Sequence, residues 1–308
     1  MKQFEMQETE TIDVEIPNCP ICSSSKISKY LDAKDYTVSQ EIFTIKQCDS
    51  CGFCFTSPRP SLVNLSKYYK SSNYISHSDS KKGIINQLYH IVRNFTLKAK
   101  LKLVKKYSSS NDVVVDYGAG TGAFVNYLNK NKVNALGFEP DEDARELAKI
   151  KHQVSLKLPE EFENGYIGKI KVITLWHVLE HIPTLNEFIE TASQNLVENG
   201  IIILALPNRD SYDAKRYQEY WSAYDVPRHL WHFRKNDIVE LMANNDFDLI
   251  ETKSMPYDSF YVSLQSEAYL GTQGVRKLFN AFSLGLASNL KASRTNFSSM
   301  IYVFRKIG

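Results

Sequence analysis

The run Asp112-Val-Val-Val-Asp116-Tyr-Gly118-Ala-Gly120-Thr-Gly122 constrains the fold more than any other stretch of this chain. Three β-branched residues lead into an acid, and a short apolar run of this kind predicts a buried parallel strand. Gly118, Gly120 and Gly122 then alternate with small residues. The backbone can turn tightly there and approach a ligand with no Cβ in the way. Phe124, Val125 and Leu128 have helical spacing, which predicts a helix from Ala123 to Lys130. Strand, glycine turn and helix together cradle a nucleotide-like group against a helix N-terminus.

Gly118-x-Gly120-x-x-Ala123 also satisfies the dinucleotide fingerprint. Asp116 argues against NAD, because it would face a pyrophosphate; it suits a cationic or zwitterionic ligand. The next apolar run, Asn134 to Phe138, ends in Glu139, an acid placed to accept from both hydroxyls of a ribose. The two acids and the glycine pattern resemble the class I S-adenosylmethionine (SAM) dependent methyltransferases. The resemblance implies a doubly wound, seven-stranded Rossmann-like sheet whose last strand is antiparallel. It also implies that Asp116, Gly118, Ala119, Gly120 and Gly122 surround SAM and that Glu139 holds its ribose.

All five cysteines fall within residues 19–54. Cys19-Pro-Ile-Cys22 and Cys48-Asp-Ser-Cys51 are two knuckles at zinc-ribbon separation, and four thiolates fill a tetrahedral shell, so the implied Zn2+ is structural. Cys54 is left over. Two disulfides are the alternative, which a reducing compartment disfavours. Tyr30–Asp32 and Glu41–Lys46 read as strands between the knuckles, and Leu62–Tyr69 as a short helix. Ser71–Ser80 is polar and serine-rich, a loop and candidate lid. Gly83–Tyr107 reads as a long amphipathic helix with Ile84, Leu88, Ile91, Phe95 and Leu101 on one stripe and Lys98, Lys100, Lys102, Lys105 and Lys106 on a solvated face. The domain plan is therefore a ribbon module at 1–75, a helical connector at 76–110 and a methyltransferase domain at 111–308.

Downstream, strands and helices alternate. A helix at Asp141–Lys151 takes Asp141 as N-cap, and Val154–Leu158 and Lys171–Trp176 read as the third and fourth strands. A helix at Thr184–Asn199 is closed by Gly200 as C′. Ile201–Leu206 is the fifth strand, and Phe247–Ser254 and Ser299–Arg305 complete the sheet. Residues 256–297 form a helical insertion whose aromatics fit a lid or a homodimer face.

The fourth strand runs into Trp176-His177-Val-Leu-Glu180-His181-Ile-Pro183, which resembles the segment after that strand in many SAM-dependent methyltransferases. Asp225-Val-Pro-Arg228-His229-Leu-Trp-His232 resembles a segment beside their acceptor pocket. Three readings compete. A neutral His181 or His229, with His177 in reserve, could act as general base. His177, Glu180, His181 and either His229 or His232 could hold a catalytic divalent ion. Glu180 and His181 could be purely structural. Trp176 and His177 also line the SAM side.

A net charge of +2 steers the chain toward neither nucleic acid nor membrane, and no apolar run reaches the ~18 residues of a span. The acidic, polar N-terminus is not a signal peptide, so a cytoplasmic location is expected. The expected activity is methyl transfer to a small molecule: a sugar on a nucleotide or lipid carrier first, a quinone-like phenol second, nucleic acid last. The competitors are an NAD-dependent oxidoreductase using the same loop and a non-catalytic zinc-ribbon binding protein.

Overall fold

The computed structural model describes residues 13–69, 84–293 and 295–307. The candidate lid at 71–80 and the expected module boundary at 75/76 lie outside the described residues, as do the side chains of Ile84, Leu88 and Ile91.

Strands β1 (Ile27–Lys34), β2 (Ile42–Cys48) and β3 (Cys54–Thr56) form an antiparallel meander that carries the cysteine knuckles. The main sheet begins with β4 (Val113–Tyr117) and β5 (Asn134–Phe138), followed by β6 (Ile170–Trp176) and β7 (Leu196–Pro207). β8 (Trp231–His232) is a two-residue strand, and β9 (Phe247–Ser254) and β10 (Ser299–Lys306) return to the main sheet. The main sheet has the order β5-β4-β6-β7-β10-β9, with β10 antiparallel to both neighbours. β4 to β7 are parallel, and the chain moves out to opposite sides from β4, so the crevice for a ligand opens at its carboxyl end. Helices cover both faces, and β7 is buried from Gly200 to Leu206 as a central strand must be.

The sheet has six strands, not seven. Val154–Leu158 contributes a single bridge, Lys157 to Phe138, in which Lys157 N–H donates to Gly137 O and Glu139 N–H donates to Lys157 O. Pro159 opens a helix (Pro159–Gly165) directly afterwards and ends the extended stretch. The helix Leu185–Asn195 also stops earlier than its pattern predicts. Gly200 is not its C′ residue but lies inside β7, where the pairing with β6 slips between Ile170↔Leu196 and Val172↔Ile201. A Cβ on Gly200 would come within 2.8 Å of Leu196 and the Val197 carbonyl, so close approach explains this glycine.

The helix Ile84–Tyr107 buries Val104 and Leu103 and packs Leu97 and Leu101 against the sheet, whereas Phe95 is mostly exposed. Its apolar stripe is therefore rotated from the predicted one. That rotation turns Lys100 inward, off the predicted solvated face.

The ribbon does not stand apart. β3 pairs with β8, placing Cys54 opposite His232 and Phe55 opposite Trp231. Phe53, Phe55, Trp231 and Phe233 join the core shared with the main sheet. Arg234 Nη2 donates to Cys51 O at 2.7 Å, and Arg209 Nη2 donates to Gly52 O. Among the described residues no helix is long and apolar enough to cross a membrane.

Candidate active site and metal centre

At the carboxyl end of β4, Gly118 N–H and Ala119 N–H both donate to Phe138 O, which ties the turn to β5. Gly118, Gly120 and Gly122 have φ of +71°, +51° and +72°, a region costly for other residues. A Cβ on Gly118 would lie 2.5 Å from Val178, and one on Gly122 would lie 2.9 Å from Ala148. A Cβ on Gly120 would meet no protein atom within 4 Å, so the turn leaves open space above its centre.

The two predicted acids flank that space. Asp116 is buried and accepts from Thr174 Oγ1 at 2.7 Å; loss of solvent pushes its pKa up to about 7. Glu139 accepts from Gly120 N–H at 2.7 Å and from Asp141 N–H at 3.0 Å, and burial raises its pKa. Lys100 arrives from the preceding helix with its amine 4.1 Å from the Trp176 ring centre and 5.6 Å from that of Phe124. Desolvation lowers its pKa to about 8, with Asp116 and Asp258 opposing the shift.

The segment after β6 begins with His177 at a φ of +58°. Its Nε2 lies 3.2 Å from Asp258 of the insertion, and its Nδ1 lies 3.5 Å from Glu180. Burial alone would lower its pKa, but the two carboxylates outweigh that and raise it to about 9. His177 is thus a cation at neutral pH. Burial would likewise raise the pKa of Glu180, yet His177 and the surrounding imidazoles hold it lowered. Glu180 is fully buried, and neither carboxylate oxygen has a hydrogen-bond partner.

His181 Nδ1 is 3.1 Å from Arg228 O and 3.0 Å from the Tyr69 hydroxyl. A carbonyl only accepts, so Nδ1 carries the proton and Nε2 keeps the lone pair. Desolvation, reinforced by His229, lowers its pKa to about 4. His229 Nδ1 likewise donates to Ala223 O at 2.8 Å, leaving Nε2 free and 4.0 Å from Asp225. The two rings meet edge to face with centres 4.5 Å apart. One ligand atom from each of Glu180, His181 and His229 lies within 4.8 Å of the others. His232 is turned away: its Nε2 is 3.0 Å from Thr56 Oγ1, which itself donates to His229 O.

Arg228 holds this loop. Its guanidinium makes two bonds to Asp225, one to Asp35 at 3.0 Å and one to Tyr68 O at 2.9 Å, and it is buried. Asp35 in turn accepts from the backbone of Thr37, Val38 and Ser39, so the ribbon's hairpin loop is the anchor. Asp258 and Asp35 carry no local pattern that marks them, Arg228 lies in the Asp225–His232 segment without an assigned role, and the pattern of its helix predicts Lys100 in solvent.

In the ribbon, Cys19 Sγ lies 3.6 Å from Cys51 Sγ and Cys22 Sγ lies 3.5 Å from Cys48 Sγ. Four thiolates around zinc at about 2.3 Å stand roughly 3.8 Å apart in a tetrahedron. The four sulfurs, all within 4.8 Å of one another, therefore fit the ion. Burial would raise the Cys48 pKa, but backbone N–H donors from Cys51 and Ser50 bring it down to about 7. Burial pushes Cys54 up to about 12, which suits a structural thiol.

A family model described as a methyltransferase domain matches residues 89–252, more than half of the chain. The chain belongs to this methyltransferase family. Among curated relatives, the ubiquinone biosynthesis O-methyltransferase of Rickettsia bellii is 22% identical over 208 residues, covering 63% of this chain and 85% of that protein. The enzyme of the same name from Rickettsia typhi is 25% identical over 212 residues, covering 63% and 82%. Among solved structures, a geranyl diphosphate methyltransferase in complex with SAM aligns with a TM-score of 0.51 at 12% identity, covering 76% of this chain and 95% of that one. That likeness supports the fold. The expected sugar acceptor finds no support among these relatives.

Proposed function

We propose that this methyltransferase moves a methyl group from SAM to the hydroxyl of a small phenolic or quinone-precursor acceptor. The observation that carries the reading is one contact. Val178, inside the histidine segment, packs against Gly118, so the glycine cradle and the segment carrying His181 lie side by side. The names of the relatives favour an O-methyl acceptor of the phenolic class over a sugar.

The open space above Gly120 is where a ligand fits. Glu139 would hold the ribose, Asp116 the methionine ammonium and Lys100 its carboxylate, and Trp176 would wall the cradle. When bound, SAM supplies an electrophilic methyl group. His229 would be the base: its Nε2 would take the acceptor hydroxyl's proton while the methyl–sulfur bond breaks and the sulfur leaves as a neutral thioether, with the Asp225 carboxylate facing the imidazolium. His177, already protonated, serves instead as a cation that fastens Asp258 to Glu180. Most of the rate comes from holding the nucleophile aligned. The ribbon binds structural Zn2+; its thiolates require a reducing, cytoplasmic setting. Its hairpin loop positions His229 through Asp35 and Arg228.

Calorimetric titration with SAM, S-adenosylhomocysteine and NAD tests the cofactor. Micromolar NAD binding without SAM binding overturns the reading, and binding of neither favours a non-catalytic module.

A second reading rests on buried Glu180, whose Oε2 has no partner while Oε1 lies 3.5 Å from His177 Nδ1: with His181 and His229 it forms a donor set for a divalent ion. Treatment with a chelator separates the two. Turnover that survives while only the four-cysteine zinc remains excludes the ion.

A further inference from the structure

The insertion between β9 and β10 is a helical hairpin, Asp258–Tyr269 followed by Gly274–Lys291. The second helix buries Ala281, Gly285 and Ser288, with Gly285 against Phe260 of the first helix, Phe260 stacked on Phe282 at 5.6 Å and Ser288 donating to Asp213. Its outer face is strongly apolar. Val275, Leu278, Phe279, Phe282, Leu286 and Leu290 are exposed by 82%, 51%, 69%, 61%, 42% and 76%. At about 100° per residue these six fall within an arc of about 120°, a continuous stripe along the helix. With each side chain worth about 150–200 Å2 when fully exposed, the stripe is on the order of 600 Å2, at the upper end of what monomers leave bare.

The charge on this helix has one sign. It carries Arg276, Lys277 and Lys291 and no acid, all on the side away from the stripe, and Lys291 lies 4.0 Å over the Tyr212 ring. The first helix has two acids, and both are engaged within the protein. Asp258 pairs with His177, and Glu267 is buried beneath Tyr217 and Asn280. Tyr257 and Tyr261 add half-exposed phenol rings on the same hairpin.

We propose that this hairpin docks the enzyme on an anionic lipid surface. A basic helix with Phe and Leu on its other face lies in the headgroup region, its rings among the acyl chains and its cations on the lipid charge. A second copy of the chain fits less well, because it would cover the apolar stripe and leave the basic side of the helix without an anionic partner. The first helix reaches His177 through Asp258, so docking sets the mouth of the crevice beside the bilayer.

The test is co-sedimentation of the full-length protein with vesicles of phosphatidylcholine alone or with about 30% phosphatidylglycerol. The protein should pellet with the anionic vesicles, at least tenfold more weakly with neutral ones, and less in 0.5 M salt as screening sets in. F279S/F282S and, separately, R276E/K277E should each lower partitioning at least tenfold. The second pair lies outside the buried face, so it keeps the test valid if the first disturbs the hairpin. Both should bind SAM as the parent does. Failure to pellet with anionic vesicles at low salt overturns the proposal. So does a dimer, seen by light scattering, that F279S/F282S disperses, since a second copy then covers the stripe.

Discussion

The two ends of the proposed crevice, one for cofactor and one for acceptor, are built in opposite ways. On the cofactor side the turn and both acids come from residues 116–139, two adjacent strands and the link between them. On the acceptor side each imidazole depends on distant chain. His181 rests on Arg228 O, Arg228 on Asp35 of the ribbon, and His177 on Asp258 of the insertion. A ligand shared by many enzymes can be held by a local turn. An acceptor particular to one enzyme is held by whatever the fold's additions bring to the rim. Damage to the additions should therefore silence turnover before it touches SAM binding.

The sharpest test is Cys48→Ser. Structural zinc binding is folding free energy, so losing one thiolate should cost on the order of 5 kcal/mol or more in the ribbon. Zinc content by mass spectrometry should fall from one ion per chain, and turnover should vanish while calorimetry still detects SAM. A variant that loses SAM binding and turnover together would erase the distinction between the two ends.

His229→Ala comes next. Removal of a general base should lower kcat by about 10²–10⁴ with SAM affinity kept within twofold. An unchanged kcat assigns the proton to another group. Gly120→Val acts on the opposite end. Its side chain would meet no protein atom, so unfolding temperature should move only by the strain of its φ, about 1–2 kcal/mol. SAM affinity should drop about 100-fold, some 3 kcal/mol. Equal losses of stability and affinity would mean that the space is not the ligand's.

The smallest effect is in pH. Asp116 has its pKa raised to about 7, so below that it is protonated and loses the charge that an ammonium needs. Lys100 is lowered to about 8, so above that it loses the charge that a carboxylate needs. SAM affinity measured across pH 6–9 should peak between the two and fall on each side, by at most about tenfold per unit for one linked proton. Asp116→Asn should flatten the acidic limb and Lys100→Met the alkaline one. A profile that neither substitution alters removes both residues from the site.

The same contrast governs what could be read before the fold was known. Val113–Gly122, Asn134–Glu139 and the cysteine knuckles are contiguous patterns tied to a local geometry, and each folds as its residues dictate. The missing seventh strand and the early end of the helix Leu185–Asn195 are cases where a neighbour overrode local pattern: Pro159 in one, the slipped β6–β7 register in the other. The lysine-rich pattern of its helix predicts Lys100 in solvent, and only the packing of Leu97, Leu101 and Val104 fixes which face turns in. The protonation states of the histidines were beyond any motif. His177 and His181 lie four residues apart, yet one is raised to about 9 by two carboxylates and the other lowered to about 4 by desolvation.

The pairing of β3 with β8 also bears on how the chain is made. Cys54 and His232 are roughly 180 residues apart, so at 5–20 residues per second β3 waits about 10–35 s for its partner to be synthesised. During that interval the newborn ribbon presents an open strand edge, the kind that recruits foreign strands. The edge that waits for β8 is short, Cys54–Thr56, because the strand is three residues long. Its brevity protects the nascent protein on the ribosome until the acceptor loop arrives to close the sheet.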